Sequence, residues 1–166
     1  LAIVLYNFGT TEFTGGTDGV VNVGSASNRF NTVYAAVGAI NTSDEREKQQ
    51  IKDLSVAEKA VALKLKGALK TFKFNDAVES KGEGARIHCG VMAQEVVSIF
   101  YSEGLDATKY ALLCYDEWDD EFEILETVLD EDGNELEPER TIQRKKAGNR
   151  YGIRYEELLA FIISAM

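Results

Sequence analysis

The sequence holds one proline, one histidine and two cysteines in 166 residues. Each scarcity excludes something. Cys89 and Cys114 have no CxxC spacing, and His88 is the lone imidazole. Neither a disulfide framework nor a structural zinc set can be built from them, so no metal or other cofactor is expected. No apolar run approaches about 18 residues, which excludes a helical membrane span. Positive charge is also scarce: 18 Lys and Arg stand against 28 Asp and Glu, a net charge of −10. That balance argues against nucleic acid or an anionic membrane as the main partner. The start, LAIVLYNFGTTEF, has no basic leader and no small-residue cleavage site. It reads as a piece of a longer polypeptide rather than as a signal peptide. What is present, 45% hydrophobic and 28% charged residues, excludes disorder and low complexity.

The chain falls into three stretches. Residues 1–42 carry only Glu12, Asp18 and Arg29 as charges, with short alternating runs at Leu1–Phe8, Val20–Val23 and Phe30–Ala35 between glycines. Strands this short cannot bury a core alone. Either they form an ordinary β subdomain, or they wind with copies of themselves. From Asn41 the composition turns charged and helix signals follow. Ser55-Val-Ala-Glu58 is a capping box, and Ala57, Ala60, Val61, Leu65 and Ala68 recur at helical spacing. Thr71–Asn75 reads as a strand with Phe72 and Phe74 on one face, and the KGEG at 81–84 as a turn. Arg86–Val91 alternates, with Ile87, Cys89 and Val91 opposite His88 and Gly90. A second helix follows over 92–103 and stops at Gly104. A third, over 155–166, carries Leu158, Leu159, Ile162 and Ile163. Those four residues suit either a seam between copies or the domain's own sheet.

Between these helices, residues 116–139 hold thirteen acidic side chains and no basic one. Glu121–Asp130 alternates as a strand, and Asp132-Gly133 signals a hairpin. Arg140, Arg144, Lys145, Lys146, Arg150 and Arg154 follow. The acidic and basic runs either neutralise one another across one hairpin or meet between protomers.

The sequence contains no GxSxG elbow, no GxxxxGK loop and no EF-hand spacing. What remains is Ser43 and Lys48 in Asn41-Thr-Ser-Asp-Glu-Arg-Glu-Lys48. A Lys amine can take the proton of a Ser hydroxyl, so the two form a legitimate nucleophile and base. The competing reading is a helix start, with a Thr42–Glu45 capping box and an Asp44–Lys48 ion pair. Geometry separates the two. In a continuous helix Ser43 and Lys48 are about 500° apart and point roughly 140° away from each other. A working dyad therefore needs Ser43 in extended or turn backbone.

Ile40-Asn-Thr-Ser-Asp-Glu-Arg-Glu-Lys48 with Ile51 resembles the auto-processing site of the intramolecular chaperone domains that end bacteriophage tail fibres and tailspikes. Gly24-Ser-Ala-Ser-Asn-Arg-Phe-Asn-Thr-Val-Tyr-Ala35 is similar to the stretch leading from their stalk into that site. Arg86-Ile-His-Cys-Gly-Val-Met-Ala-Gln-Glu-Val96 and Tyr151-Gly-Ile-Arg-Tyr-Glu-Glu-Leu158 resemble two further family blocks, in the family's order. The acidic hairpin has no counterpart in the resemblance.

The resemblance implies an α+β fold of three main helices on short antiparallel strands, preceded by an extended β stalk and assembled as an intertwined homotrimer. It implies a stalk end at 1–42 and a self-cleaving chaperone domain at 43–166. The cut would fall between Thr42 and Ser43, with Ser43 as nucleophile, Lys48 as base, and His88 and Asp44 as auxiliary residues. The expected partners are two further copies and the upstream fibre or tailspike. The stalk would reside in the virion and the released domain in the host cytoplasm. The sequence runs continuously across Thr42–Ser43, as an uncut precursor would. Two other functions stay open at this point. One is an uncleaved fibre tip that binds a receptor, and the other a Ser–Lys hydrolase acting in trans.

Overall fold

A Gly-rich, charge-poor stretch gives the first part of the chain little to bury. The computed structural model describes residues 6–8, 13–15, 17–129, 132 and 135–166. The chain divides into two units, Leu1–Asn41 and Thr42–Met166. In the first, β1 (Tyr6–Phe8) pairs antiparallel with β2 (Phe13–Gly15). Residues 1–5 of the expected strand Leu1–Phe8 lie outside the described residues. Val20–Val23 and Phe30–Ala35, expected as strands, run instead through turns, bends and irregular backbone. The reason is local. Ser25 N donates to Asn28 O and Asn28 N to Ser25 Oγ, both at 3.0 Å, closing a turn between the two runs. Phe30, Val33, Tyr34, Val37 and Ile40 remain 63% to 94% exposed.

The second unit is built on helices with readable starts and stops. Helix α1 (Val56–Gly67) opens with the expected box: Ser55 Oγ accepts from Glu58 N, and Glu58 Oε2 accepts from Ser55 N. Its stripe of Val61, Leu65 and Ala68 is buried. Strand β3 (Lys70–Phe72) pairs antiparallel with β4 (His88–Gly90), setting Phe72 opposite His88. Between them lies α2 (Asn75–Lys81), where the sequence suggested a strand ending at Asn75 and a turn. This helix buries no residue and has no side-chain cap, so it left no apolar stripe to read. Helix α3 (Ala93–Ser102) buries Val96 and Phe100 and ends where Gly104 takes φ +71°, a conformation that favours glycine.

Strand β5 (Leu113–Trp118) pairs with β10 (Gly148–Ile153), and β6 (Glu121–Leu125) with β9 (Arg140–Lys145). Strand β7 (Val128–Leu129) pairs with β8 (Glu135–Glu137). The expected strand Glu121–Asp130 is thus two pieces, and Asp130 and the Gly133 of the expected turn lie outside the described residues. All these pairs are antiparallel. They set acid against base within one chain. Glu123 pairs with Arg144, and Glu121 lies 3.2 Å from Lys145. Asp120 accepts from Gln143 Nε2 and from Ala147 N, both at 2.7 Å. Of the two readings of the charged runs, pairing across one hairpin is the one found.

Helix α4 (Tyr155–Ile163) closes the unit and packs on α1. Leu158 and Ile162 enter the core with Val61, Leu65, Val96 and Phe100, whereas Leu159 and Ile163 stay 47% and 64% exposed. The stripe expected to act as one face is therefore split, since a helix of this width can turn only part of it inward. The result is an α+β unit with four α-helices among the described residues.

One close approach ties α4 to β4. The Tyr155 hydroxyl accepts from Val91 N at 3.3 Å, and a Cβ on Gly90 would lie 2.1 Å from that oxygen. Gly90→Ala must push the ring aside and lose the bond. An overpacking cost of about 1–3 kcal/mol is expected, read as a lowered thermal midpoint.

Candidate active site

The segment after Thr42 has no apolar face to pack, so nothing sustains a long helix there. Only Glu45–Glu47 form a single 3₁₀ turn. Asp44 caps it, its Oδ1 accepting from Arg46 N at 2.9 Å. At Lys48 the backbone is already extended, with φ −116° and ψ 146°. Two residues on, Gln50 takes φ +55°, a left-handed conformation uncommon outside glycine. From its extended backbone position Lys48 reaches back along the turn with its side chain. Its Nζ donates to Ser43 Oγ at 2.6 Å and to Ser43 O at 3.4 Å.

Ser43 and Lys48 are therefore brought together, with Ser43 outside the helical turn. Thr42 is covalently next to them. The helix-start alternative is corrected on both counts. Asp44, not Thr42, is the cap, and Asp44 pairs with Arg46, not Lys48. Arg46 Nε lies 3.0 and 3.1 Å from the two carboxylate oxygens, and Nη2 2.5 Å from Oδ2. The guanidinium holds the Asp44 carboxyl below its ordinary range, and the carboxylate raises Arg46 in turn. Sequence reasoning missed Arg46. The signal was there, since an Asp cap places its carboxylate beside the residue two positions on.

His88 goes elsewhere. It is exposed on the two-stranded β3–β4 sheet. Its ring stacks on Phe72 at 5.8 Å and meets Phe74 edge-on at 4.9 Å. Among the described residues no hydrogen bond joins it to Ser43 or Lys48. Nor does the expected alternation on β4 hold as a core face. Val91 is buried, while Ile87 is 69% exposed and Cys89 is also exposed.

The segment from Lys48 enters α1 through a fixed joint. Glu58 serves the capping box with Oε2 and accepts from the Tyr110 hydroxyl with Oε1 at 2.9 Å. The Ser55 bonds, first, and the Tyr110 bond hold its carboxyl below the ordinary 4.5. A lowered folded-state value means a stability contribution that is present above about pH 4.5 and fades as pH falls through the folded value. Loss of such a cap costs about 0.5–2 kcal/mol. Glu58→Ala should therefore lower stability at pH 7, with the gap to the parent chain narrowing under acid. Urea melts at pH 7 and pH 3.5 read both.

A groove of about 620 Å³ runs between Phe72, Phe74, Met92, Tyr151 and Tyr155, but none of Ser43, Lys48 or His88 lines it. Ser43 and Lys48 lie exposed on their turn. The arrangement suits a nucleophile whose target is covalently attached, since such a target needs no binding cleft.

Residues 43–105 match a peptidase family described as chaperone of endosialidase. A probable tail spike protein of Klebsiella phage 0507-KN2-1 is 37% identical over 148 residues, 85% of this chain and 12% of that protein. The chain thus spans a small part of that relative's length. The solved carboxy-terminal domain of the bacteriophage T5 L-shaped tail fiber with its intra-molecular chaperone domain matches 93% of this chain and 36% of its own. Its TM-score is 0.75 and its identity 33%. A crystal structure of an intramolecular chaperon matches 75% of this chain and 94% of its own, with TM-score 0.52 and 39% identity.

Proposed function

The chain belongs to the self-cleaving peptidase family of intramolecular chaperones found in phage tail fibres and tailspikes, and on that premise we propose how it works. Residues 43–166 trimerise, guide the upstream β stalk into register, and release themselves by cutting Thr42–Ser43. The observation that carries this is the 2.6 Å contact of Lys48 Nζ with Ser43 Oγ, one residue inside the second unit.

Interwound stalks fold slowly, because their contacts are non-local and between chains, and they expose strand edges on the way. A domain that trimerises first raises the effective concentration of three stalk ends for one another. The exposed Phe30, Val33, Tyr34, Val37 and Ile40 are the side chains such neighbours would cover. Cutting the link then leaves a stalk held kinetically, since unfolding must proceed without its nucleus. The stalk stays in the virion tail, and the released domain stays in the host cytoplasm.

In the reaction, the Lys48 amine accepts the Ser43 hydroxyl proton as Oγ attacks the Thr42 carbonyl carbon. A five-membered ring forms. The C–N bond breaks as the proton passes to the leaving amine, and an ester links Thr42 to Ser43 Oγ. Water opens the ester, giving a Thr42 carboxylate and a Ser43 with free amine and hydroxyl. Connectivity supplies the proximity that a trans substrate would need a cleft to provide.

The auxiliary role that the resemblance gives His88 is to orient the scissile segment or to hydrogen-bond the reacting carbonyl. His88→Ala is expected to slow cutting without dissolving the trimer, and cutting at full speed would leave His88 only a structural role. A gel time course with sedimentation of the variant reads both.

Sedimentation equilibrium of the uncut Ser43→Ala chain tests the assembly claim, and a trimer at micromolar concentration is expected. The parent chain diluted below its assembly range should also stop cutting. A monomer at micromolar concentration, or cutting at an undiminished rate under dilution, would overturn the reading.

A further inference from the structure

The Lys48 amine has one hydrogen-bond partner among the described residues, Ser43. That is unexpected on an acidic turn. Asp44, Glu45 and Glu47 all lie within four residues, and Asp44 stands at the i,i+4 spacing that favours pairing with a lysine. Lys52 and Asp53 follow in the same segment, and among the described residues no side chain from another element forms a hydrogen bond or ion pair with the Lys48 amine. The carboxylate at that spacing, Asp44, is occupied. Both of its oxygens receive Arg46, and Oδ1 also accepts Arg46 N. Arg46 itself packs on nothing, its side chain being 88% exposed. Among the described residues, its side-chain hydrogen bonds and its ion pair are all with Asp44.

Resting on the dyad reading above, we propose that Arg46 is a positioning residue for the self-cleavage: it holds the Asp44 carboxylate away from Lys48, leaving the amine to face Ser43 Oγ alone. The chemistry sets why this matters. A carboxylate beside Lys48 would favour its charged form, and an ammonium cannot accept the hydroxyl proton. It would also draw Nζ off the serine. The fork of a guanidinium suits the task, because it takes both carboxylate oxygens at once in fixed geometry. The pair is exposed, so it adds little to stability. Its effect is on which partner Lys48 meets.

The inference separates from a purely mechanical one through a double variant. Arg46→Gln frees the Asp44 carboxylate. Adding Asp44→Asn removes that charge while its amide oxygen can still cap the turn. The rate of appearance of residues 43–166 is measured from pH 6 to 10 for the parent chain, Arg46→Gln, Asp44→Asn and the double variant, with sedimentation confirming assembly of each. Arg46→Gln should shift the rising limb to higher pH, with cutting several-fold slower on that limb. The double variant should return the limb to the position of Asp44→Asn alone. Three results would overturn the proposal: Arg46→Gln cutting at the parent rate, Arg46→Gln slowing without a shift, or a double variant as slow and as shifted as Arg46→Gln. Failure of the dyad reading looks different, since Ser43→Ala would then still cut at Thr42–Ser43.

Discussion

Ser43→Ala should leave a folded, uncut trimer, with no residues 43–166 fragment even after days, and Lys48→Ala should do nearly the same. The serine effect is the larger because it removes the atom that forms the new bond, and no neighbouring residue offers another hydroxyl on the same carbonyl. The lysine effect is that of a lost general base, about 10²- to 10⁴-fold. Both residues are exposed and pack on nothing, so neither change should cost stability beyond a few tenths of a kcal/mol. Equal thermal midpoints with lost cutting are the expected pair of readings. If Lys48→Ala cuts at the parent rate, another group is the base.

Phe100→Ala should have the largest effect on folding. Phe100 is fully buried and sits where α3, α4 and the Ala107–Lys109 turn converge, its ring 4.7 Å from Tyr110 and 5.9 Å from Phe161. Around it stand Val61, Leu65, Val96 and Leu158, also fully buried. Emptying that position loses the transfer energy of the ring and leaves a cavity among neighbours that cannot all collapse into it. The expected cost is about 3–5 kcal/mol, a large share of the about 5–15 kcal/mol that holds a typical domain. Because cutting is read as dependent on assembly, Phe100→Ala should also abolish it although Ser43 and Lys48 are untouched. Urea melts of the Ser43→Ala,Phe100→Ala chain, which cannot cut, isolate the folding term. An unchanged melt would mean that the core is organised around other residues.

The helices that were legible in the sequence are those that do work at both ends and along one side. Ser55 and Glu58 announced α1, Gly104 announced the end of α3, and Leu158 with Ile162 announced α4. Helix α2 was not legible because Asn75–Lys81 buries nothing, so no apolar period marks it. On β4 alternation did not mark a core face, since the adjacent Gly90 and Val91 are buried while Ile87, His88 and Cys89 are exposed. In the charged arm, composition showed that acid and base were segregated, but only the register could say that Glu121 and Glu123 meet Lys145 and Arg144 of the same chain. The site was half legible. Spacing allowed Ser43 and Lys48 either to diverge on a helix or to meet across a turn. The choice depended on where one 3₁₀ turn stops, which Asp44 and Arg46 settle through side-chain bonds that periodicity does not encode.

Intact-mass spectrometry of the freshly assembled chain tests the central claim most directly. The account predicts two products, residues 1–42 and a fragment whose first residue is Ser43, both absent from Ser43→Ala. A fragment beginning at any other residue, or the same fragment from Ser43→Ala, would contradict it.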